Sequence, residues 1–310
     1  MRERGNESDM STEVEIPSRL VMASAPAVAE EKVSVLEKPM LDILPQAGWQ
    51  PVNVSELWKF RELIYFLTWR DVKVRYKQTM LGAAWAILQP AMWMIVFTIF
   101  FANMAKVPAG NGPYRLFVYL GLLPWTFFAT AISNAGNSVV GSERLVSKVY
   151  FPRLSIPFAS VAAAVVDLGI ASILLVGMMA YYRVMPGMSV VLVPFIIGVI
   201  MLIALGVGTL LAALNVAYRD FRYVIPFLVQ LWMLATPTIY MKPDDNGSSK
   251  LQAILHLNPL TSLISNLRQA VLGEPIGWNG LIVSTVVGVA VFLFGCVYFR
   301  RMERNFADII

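Results

Sequence analysis

One cysteine, Cys296, and one histidine, His256, occur in 310 residues. A single thiol excludes an intramolecular disulfide and a thiolate-built metal site, and a single imidazole removes most metal-centre and histidine-based catalytic schemes. Charge is scarce too: 15% of residues are Asp, Glu, Lys or Arg, whereas 57% are hydrophobic. Soluble domains carry about a quarter charged residues, so this composition indicates a membrane protein with several spans. A nucleotide-binding loop is also missing. Gly136 to Gly141 has the spacing of a phosphate loop, but Ser142 and Glu143 stand where Lys and Ser/Thr are needed. That lysine meets the terminal phosphates, so if ATP drives this protein a separate subunit binds it.

What charge there is falls unevenly. Residues 1–54 hold nine acids and five bases, leaving eleven acids and twenty bases in 55–310. The bases are scattered between apolar stretches, which fits cytoplasmic loops beside anionic lipid and argues against a nucleic-acid surface. Residues 1–50 are rich in Ser, Pro and Glu without sustained apolar periodicity, and read as a disordered cytoplasmic tail. Ala23-Ser24-Ala25 has the pattern of a signal-peptide cleavage site, but the apolar core there is too short and acids precede it.

Residues 55–77 read as an amphipathic helix with Ser55 as its N-cap. Leu57, Phe60, Ile64 and Leu67 recur on one face, and Lys59, Glu62, Arg70, Lys73 and Lys77 on the other. Trp58, Tyr65, Trp69 and Tyr76 suit the headgroup layer, so the helix is expected to lie in the membrane interface.

Uncharged runs cover 78–105, 116–142, 184–218, 223–241 and 275–299, and 154–182 holds only Asp167. About 20 apolar residues span a bilayer, so six spans are expected, at about 82–104, 116–140, 155–182, 190–215, 223–241 and 278–299. An even number puts both termini on one side. That side carries Arg144, Lys148, Arg153, Arg219, Arg222, Arg300, Arg301, Arg304 and the bases of the amphipathic helix, so it is the cytoplasm. The opposite connections hold Lys106, Arg115, Arg183, Lys242, Lys250 and Arg268. Before the last span, 251–272 is apolar but broken at Leu257-Asn258-Pro259-Leu260, which predicts a re-entrant pair of half-helices on the outer side.

Two charged islands interrupt the apolar chain, at 142–153 and 216–222. In the first, Glu143 to Tyr150 has the length of two helical turns, and Pro152 stops them. A short helix held between two spans is a handle for another protein. The second island centres on Tyr218-Arg219-Asp220.

Four stretches carry a family resemblance. They are Arg70-Asp71-Val72-Lys73-Val74-Arg75-Tyr76 with Leu81-Gly82, Trp85 and Pro90; Lys148-Val149-Tyr150-Phe151-Pro152-Arg153; Tyr218-Arg219-Asp220; and Leu257-Asn258-Pro259-Leu260. With these residues the chain resembles the membrane permeases of type-2 ABC exporters that move polysaccharide, including O-antigen, capsule and teichoic acid, over essentially 55–305. The resemblance implies a homodimer enclosing a channel, paired with two copies of an ATPase subunit that holds the ATP and Mg, while this chain binds no cofactor. It implies that Glu143, Arg144, Lys148, Tyr150, Tyr218, Arg219 and Asp220 couple to the ATPase, with Arg70, Asp71, Arg75 and Tyr76 marking the interfacial helix.

Sugar rings present C–H faces that pack on aromatics, while their hydroxyls need scattered polar partners. Trp93, Phe97, Phe100 and Phe101 on the first span, and Trp232 and Tyr240 on the fifth, are therefore expected to line a sugar path. Asp167 keeps a proton-coupled transporter in view, but with no basic partner in any span a structural hydrogen bond is the better reading.

The expected fold is an all-α polytopic membrane protein. A cytoplasmic tail over 1–50 precedes a transmembrane permease domain over 51–310, with six transmembrane helices, an amphipathic interfacial helix before them and the re-entrant pair before the last. The expected function is export of lipid-linked polysaccharide, O-antigen foremost, across the bacterial inner membrane. Alternatives are an exporter of drugs or other lipids on the same fold, and a membrane-embedded glycosyltransferase. The last is disfavoured because Glu143 and Asp220 lie on separate islands and do not form a carboxylate pair.

Overall fold

The computed structural model describes residues 54–77, 79, 81–100, 113–148, 150–236, 258–303 and 306, excepting the side chains of 54–56 and 147. No strand occurs among them. The described residues form ten α-helices: α1 Val54–Lys59, α2 Arg61–Lys77, α3 Ala84–Phe97, α4 Tyr114–Gly141, α5 Glu143–Lys148, α6 Ser155–Tyr181, α7 Val193–Ala217, α8 Phe221–Leu234, α9 Pro259–Leu272 and α10 Trp278–Glu303. Helices α4, α6, α7 with its leading 3-10 turn, and α10 are long and apolar enough to cross a membrane; α8 and the Ala84–Phe100 stretch are shorter. Both shorter helices run towards segments outside the described residues, at 101–112 and 237–257, where Phe101, Tyr240, Lys242, Lys250, His256 and the first half of the re-entrant pair also fall. The 1–50 tail lies outside them as well.

Local chemistry sets the helix ends. Pro194 stands in the first turn of α7, where a missing amide donor costs nothing. Asn258 caps α9 by accepting from the Leu260 amide at 3.1 Å, Pro259 follows at the first helical position, and Gly273 closes the helix in the left-handed region at φ 76°. At the other end of the chain, α1 begins at Val54, so Ser55 stands inside a helix rather than capping it.

Lipid tails are as apolar as leucine, so membrane helices associate through close packing and polar contacts. The tightest crossing here joins α7 and α10. A Cβ on Gly206 would stand 2.6 Å from the Phe292 Cα, and one on Gly295 would strike the Gly206 carbonyl. Asn215 of α7 donates to the Gly136 carbonyl of α4 at 2.9 Å and to Asn137 Oδ1 at 3.1 Å. The Tyr119 hydroxyl of α4 donates to the Ala171 carbonyl of α6 at 2.8 Å. Such interhelical bonds contribute about 0.6 kcal/mol each.

Two main clusters fill the interior of this bundle. The larger runs along most of its length, from Leu116, Ile196, Leu260 and Leu281 to Ala135, Leu211 and Ile225. The other gathers Leu57, Val139, Val146, Phe151, Ile156, Val216, Phe299 and Phe306. It brings α1, the end of α4, α5, the start of α6 and the ends of α7 and α10 to one end.

Candidate functional site

Both charged islands rest on that second cluster. In the first, Val146 and Phe151 are buried and hold α5 to the bundle, while Glu143, Arg144, Lys148 and Tyr150 face outward. Tyr150 is 76% exposed. The loop after α5 is tied down by Arg153, whose backbone N–H donates to Glu303 Oε1 at 3.1 Å and whose guanidinium donates to the Glu303 carbonyl at 2.7 Å. In the second island, Val216 is buried beneath exposed Tyr218, Arg219 and Asp220. Seven residues expected to couple to a partner thus stand exposed at one end of the bundle, each island anchored from below by apolar side chains.

The expected interfacial helix is two helices, broken at Phe60. Its faces are as the periodicity predicts: Leu57 and Leu67 are buried, Phe60 and Ile64 partly so, and Lys59, Glu62, Arg70, Lys73 and Lys77 are exposed. Its neighbour is the new information. The Thr68 hydroxyl reaches the Ala159 carbonyl at 3.4 Å, Ser160 donates to Asp71 at 3.3 Å, and Arg75 and Tyr76 both bind the Asp167 carboxylate. Contact positions advance in step, so α2 and α6 run parallel. Asp167 lies twelve residues into the 27-residue α6, roughly 18 Å along its axis at 1.5 Å per residue. The end of α2 therefore stands beside the middle of a long apolar helix rather than flat at its end. Arg75 and Asp167 have 29% and 19% exposed side chains, so this ion pair is partly buried. Asp71 also pairs with Arg70 at 2.9 Å.

The aromatic residues separate into two settings. Trp93 and Phe97 stack at 5.5 Å on α3, and Trp93 and Phe100 are about half exposed. Trp232 on α8 stands edge-on to Phe128 at 5.0 Å and donates to Asn258 Oδ1 at 3.2 Å; Asn258 in turn donates to Thr236 at 2.8 Å. This ring ties α8 to the start of α9. The two helices still share a footing, since Met94 and Phe97 of α3 and Met233 of α8 all pack on Val118 and Leu122 of α4.

Three polar features escaped the sequence expectations. The partner of Asp167 comes from α2 rather than from a span, so no count within the spans finds it. Arg268, expected in an outer connection, is only 6% exposed, with its guanidinium carbon 3.9 Å from the Phe117 ring centre. Gln89 and Asn134 both line the cavity that contains Arg75 and Asp167. For Gln89 the available signal was an isolated carboxamide within an otherwise apolar run.

A sequence profile described as ABC-2 type transporter matches residues 62–272, from α2 through α9 with both islands inside it. The chain is 30% identical to the O-antigen export system permease protein RfbA of Myxococcus xanthus over 213 residues, covering 69% of this chain and 81% of that protein. It is 26% identical over 250 residues to a protein of the same name from Klebsiella pneumoniae, covering 80% and 95%. The polysialic acid transport protein KpsM of Escherichia coli is 20% identical over 246 residues, covering 76% and 91%. The profile takes in most of the chain and the relatives align over most of their own length, so this is a multi-pass membrane transport subunit rather than an enzyme, and it belongs to the ABC-2 type transporter family.

Proposed function

We propose that this chain is the permease subunit of an ATP-driven exporter that moves lipid-linked polysaccharide, O-antigen foremost, across the bacterial cytoplasmic membrane. The observation that carries the reading is the matches to O-antigen export permeases over 81% and 95% of those proteins, with the same substrate class recurring in the more distant polysialic acid transport protein. Family membership implies an ATPase partner, which holds the ATP and Mg. The exposed islands fit that partner, because a rigid, charged helix anchored on an apolar base can transmit a push to α4 and α6 without bending. That end of the bundle is the cytoplasmic one in this reading, and both termini lie there.

Six spans and a re-entrant pair complete the proposed topology, with α3 and α8 extending through the segments beyond 100 and 236 and α9 as the second re-entrant half. The tail over 1–50 is a separate cytoplasmic extension. Trp93 and Phe100 face outward from a single copy, so a second copy must cover them to enclose a sugar path. Two permeases and two ATPases are therefore the working unit. Native mass spectrometry of the chain purified with its ATPase tests this: two copies of each are expected, and a stable complex holding one permease chain contradicts it.

A further inference from the structure

A cavity of about 300 Å³ lies between α2, α3, α4 and α6, lined by Arg75, Tyr76, Trp85, Gln89, Asn134 and Asp167 among others. Small-molecule sites range over ~300–1,000 Å³, so this volume suits a single small ring. Trp85 is 46% exposed and Gln89 is exposed, so the mouth opens at the protein surface. Among the described residues, the side-chain amides of Gln89 and Asn134 make no hydrogen bond. Each offers a donor and an acceptor to whatever enters.

The lining selects a chemical class. An acyl chain is disfavoured, because it would leave the Gln89 and Asn134 side chains without partners. The Asp167 carboxylate beside Arg75 cancels the attraction of the cation for a phosphate. A sugar ring meets both requirements. Its hydroxyls donate and accept, matching two carboxamides, a phenol and an ion pair, and its C–H face packs on an indole such as Trp85. Position supports the same conclusion. Trp85, Gln89 and Trp93 recur at four-residue steps and so share one face of α3. Trp85 and Gln89 at the cavity mouth are then about 12 and about 6 Å from Trp93 along one helix.

We propose that this cavity is a side pocket that receives one sugar ring of the exported glycan, adjoining the aromatic stretch of α3. The proposal rests on the polysaccharide reading above, and its test separates the two. Cysteine reporters Asn134→Cys, Gln89→Cys and Trp93→Cys are placed singly in the full-length chain with Cys296→Ala, co-expressed with its ATPase. Membranes from cells that make the glycan, and from cells blocked in its synthesis, are treated with N-ethylmaleimide, a reagent about the size of a sugar ring. Membrane levels of each variant are checked first, and Gln89→Cys, at an exposed position, stands in should Asn134→Cys fail to insert. Labelling at 134 and 89 is expected to fall at least fivefold when the glycan is made, as it does at 93. Protection at 93 with equal labelling at 134 and 89 in both membranes means that the cavity holds only water, and overturns the pocket while leaving export standing. Failure to label 134 and 89 in either membrane means that the cavity is closed to a ring, and overturns it equally. Equal labelling at all three positions overturns both the pocket and the polysaccharide reading.

Discussion

Replacing Asp167 with Asn leaves the partly buried Arg75 guanidinium without its counter-charge. Breaking a fully buried pair from one side costs about 3–5 kcal/mol, whereas an exposed pair contributes about 0–1 kcal/mol. With 29% and 19% of the two side chains exposed, this pair falls between those limits. A cost of about 2–3 kcal/mol is expected, less than the full burial penalty because solvent screens part of it. At about 2–4 °C per kcal/mol for a chain of this size, the apparent melting temperature in detergent should drop by about 5–10 °C. Arg75→Gln alone strands the carboxylate and should cost a similar amount, softened by the Tyr76 hydroxyl that also binds Asp167. The double variant Arg75→Gln with Asp167→Asn carries no stranded charge, and its two amides can still bond. It should recover most of the loss, giving a coupling of at least about 1 kcal/mol in a double-mutant cycle. Additive losses in the double variant, or single variants as stable as wild type, would refute the claim that α2 is locked to the middle of α6 by this pair.

Gly206→Ala and Gly295→Ala should each destabilise the chain by about 1–3 kcal/mol, because the new methyl meets the backbone of the facing helix. Gly169→Ala and Gly177→Ala, where nothing lies within 4 Å, serve as controls in the same melting assay and should be neutral or mildly stabilising. Arg144→Glu with Lys148→Glu should leave insertion intact while ATPase co-purification and surface glycan are lost, since like-charge contacts at an interface cost several kcal/mol. Glu274→Lys, exposed beyond α9 at the other end of the bundle, should change neither. Wild-type recruitment in the Arg144/Lys148 variant would remove the coupling role of the first island.

Much of this arrangement is legible in the sequence, for identifiable reasons. Long uncharged runs predict α4, α6, α7 and α10 because lipid imposes length and composition on a spanning helix whatever its neighbours. The islands are legible because three or four ionised groups close together are excluded from hydrocarbon. Asn258-Pro259 marks the start of α9 through side-chain and ring chemistry that needs no tertiary context. Pairings between distant segments are a different matter. Periodicity gives the buried face of α2 but not the helix that covers it, so the meeting of Arg75 and Asp167, 92 positions apart, has no local signature. Trp232 illustrates the same limit: its aromatic character suggests a sugar platform, while its bond to Asn258 joins residues 26 apart. Arg268 shows that a basic residue beside apolar neighbours can fold onto an aromatic ring instead of marking a loop.

Export of a lipid-linked glycan is tested most directly by deleting this chain from its host and measuring the glycan on both sides of the membrane. Surface polysaccharide should disappear while carrier-linked glycan accumulates inside the cell, and the wild-type chain should restore the surface product. Surface polysaccharide that persists at the wild-type level, or loss of the glycan inside the cell as well as outside, would contradict export by this chain.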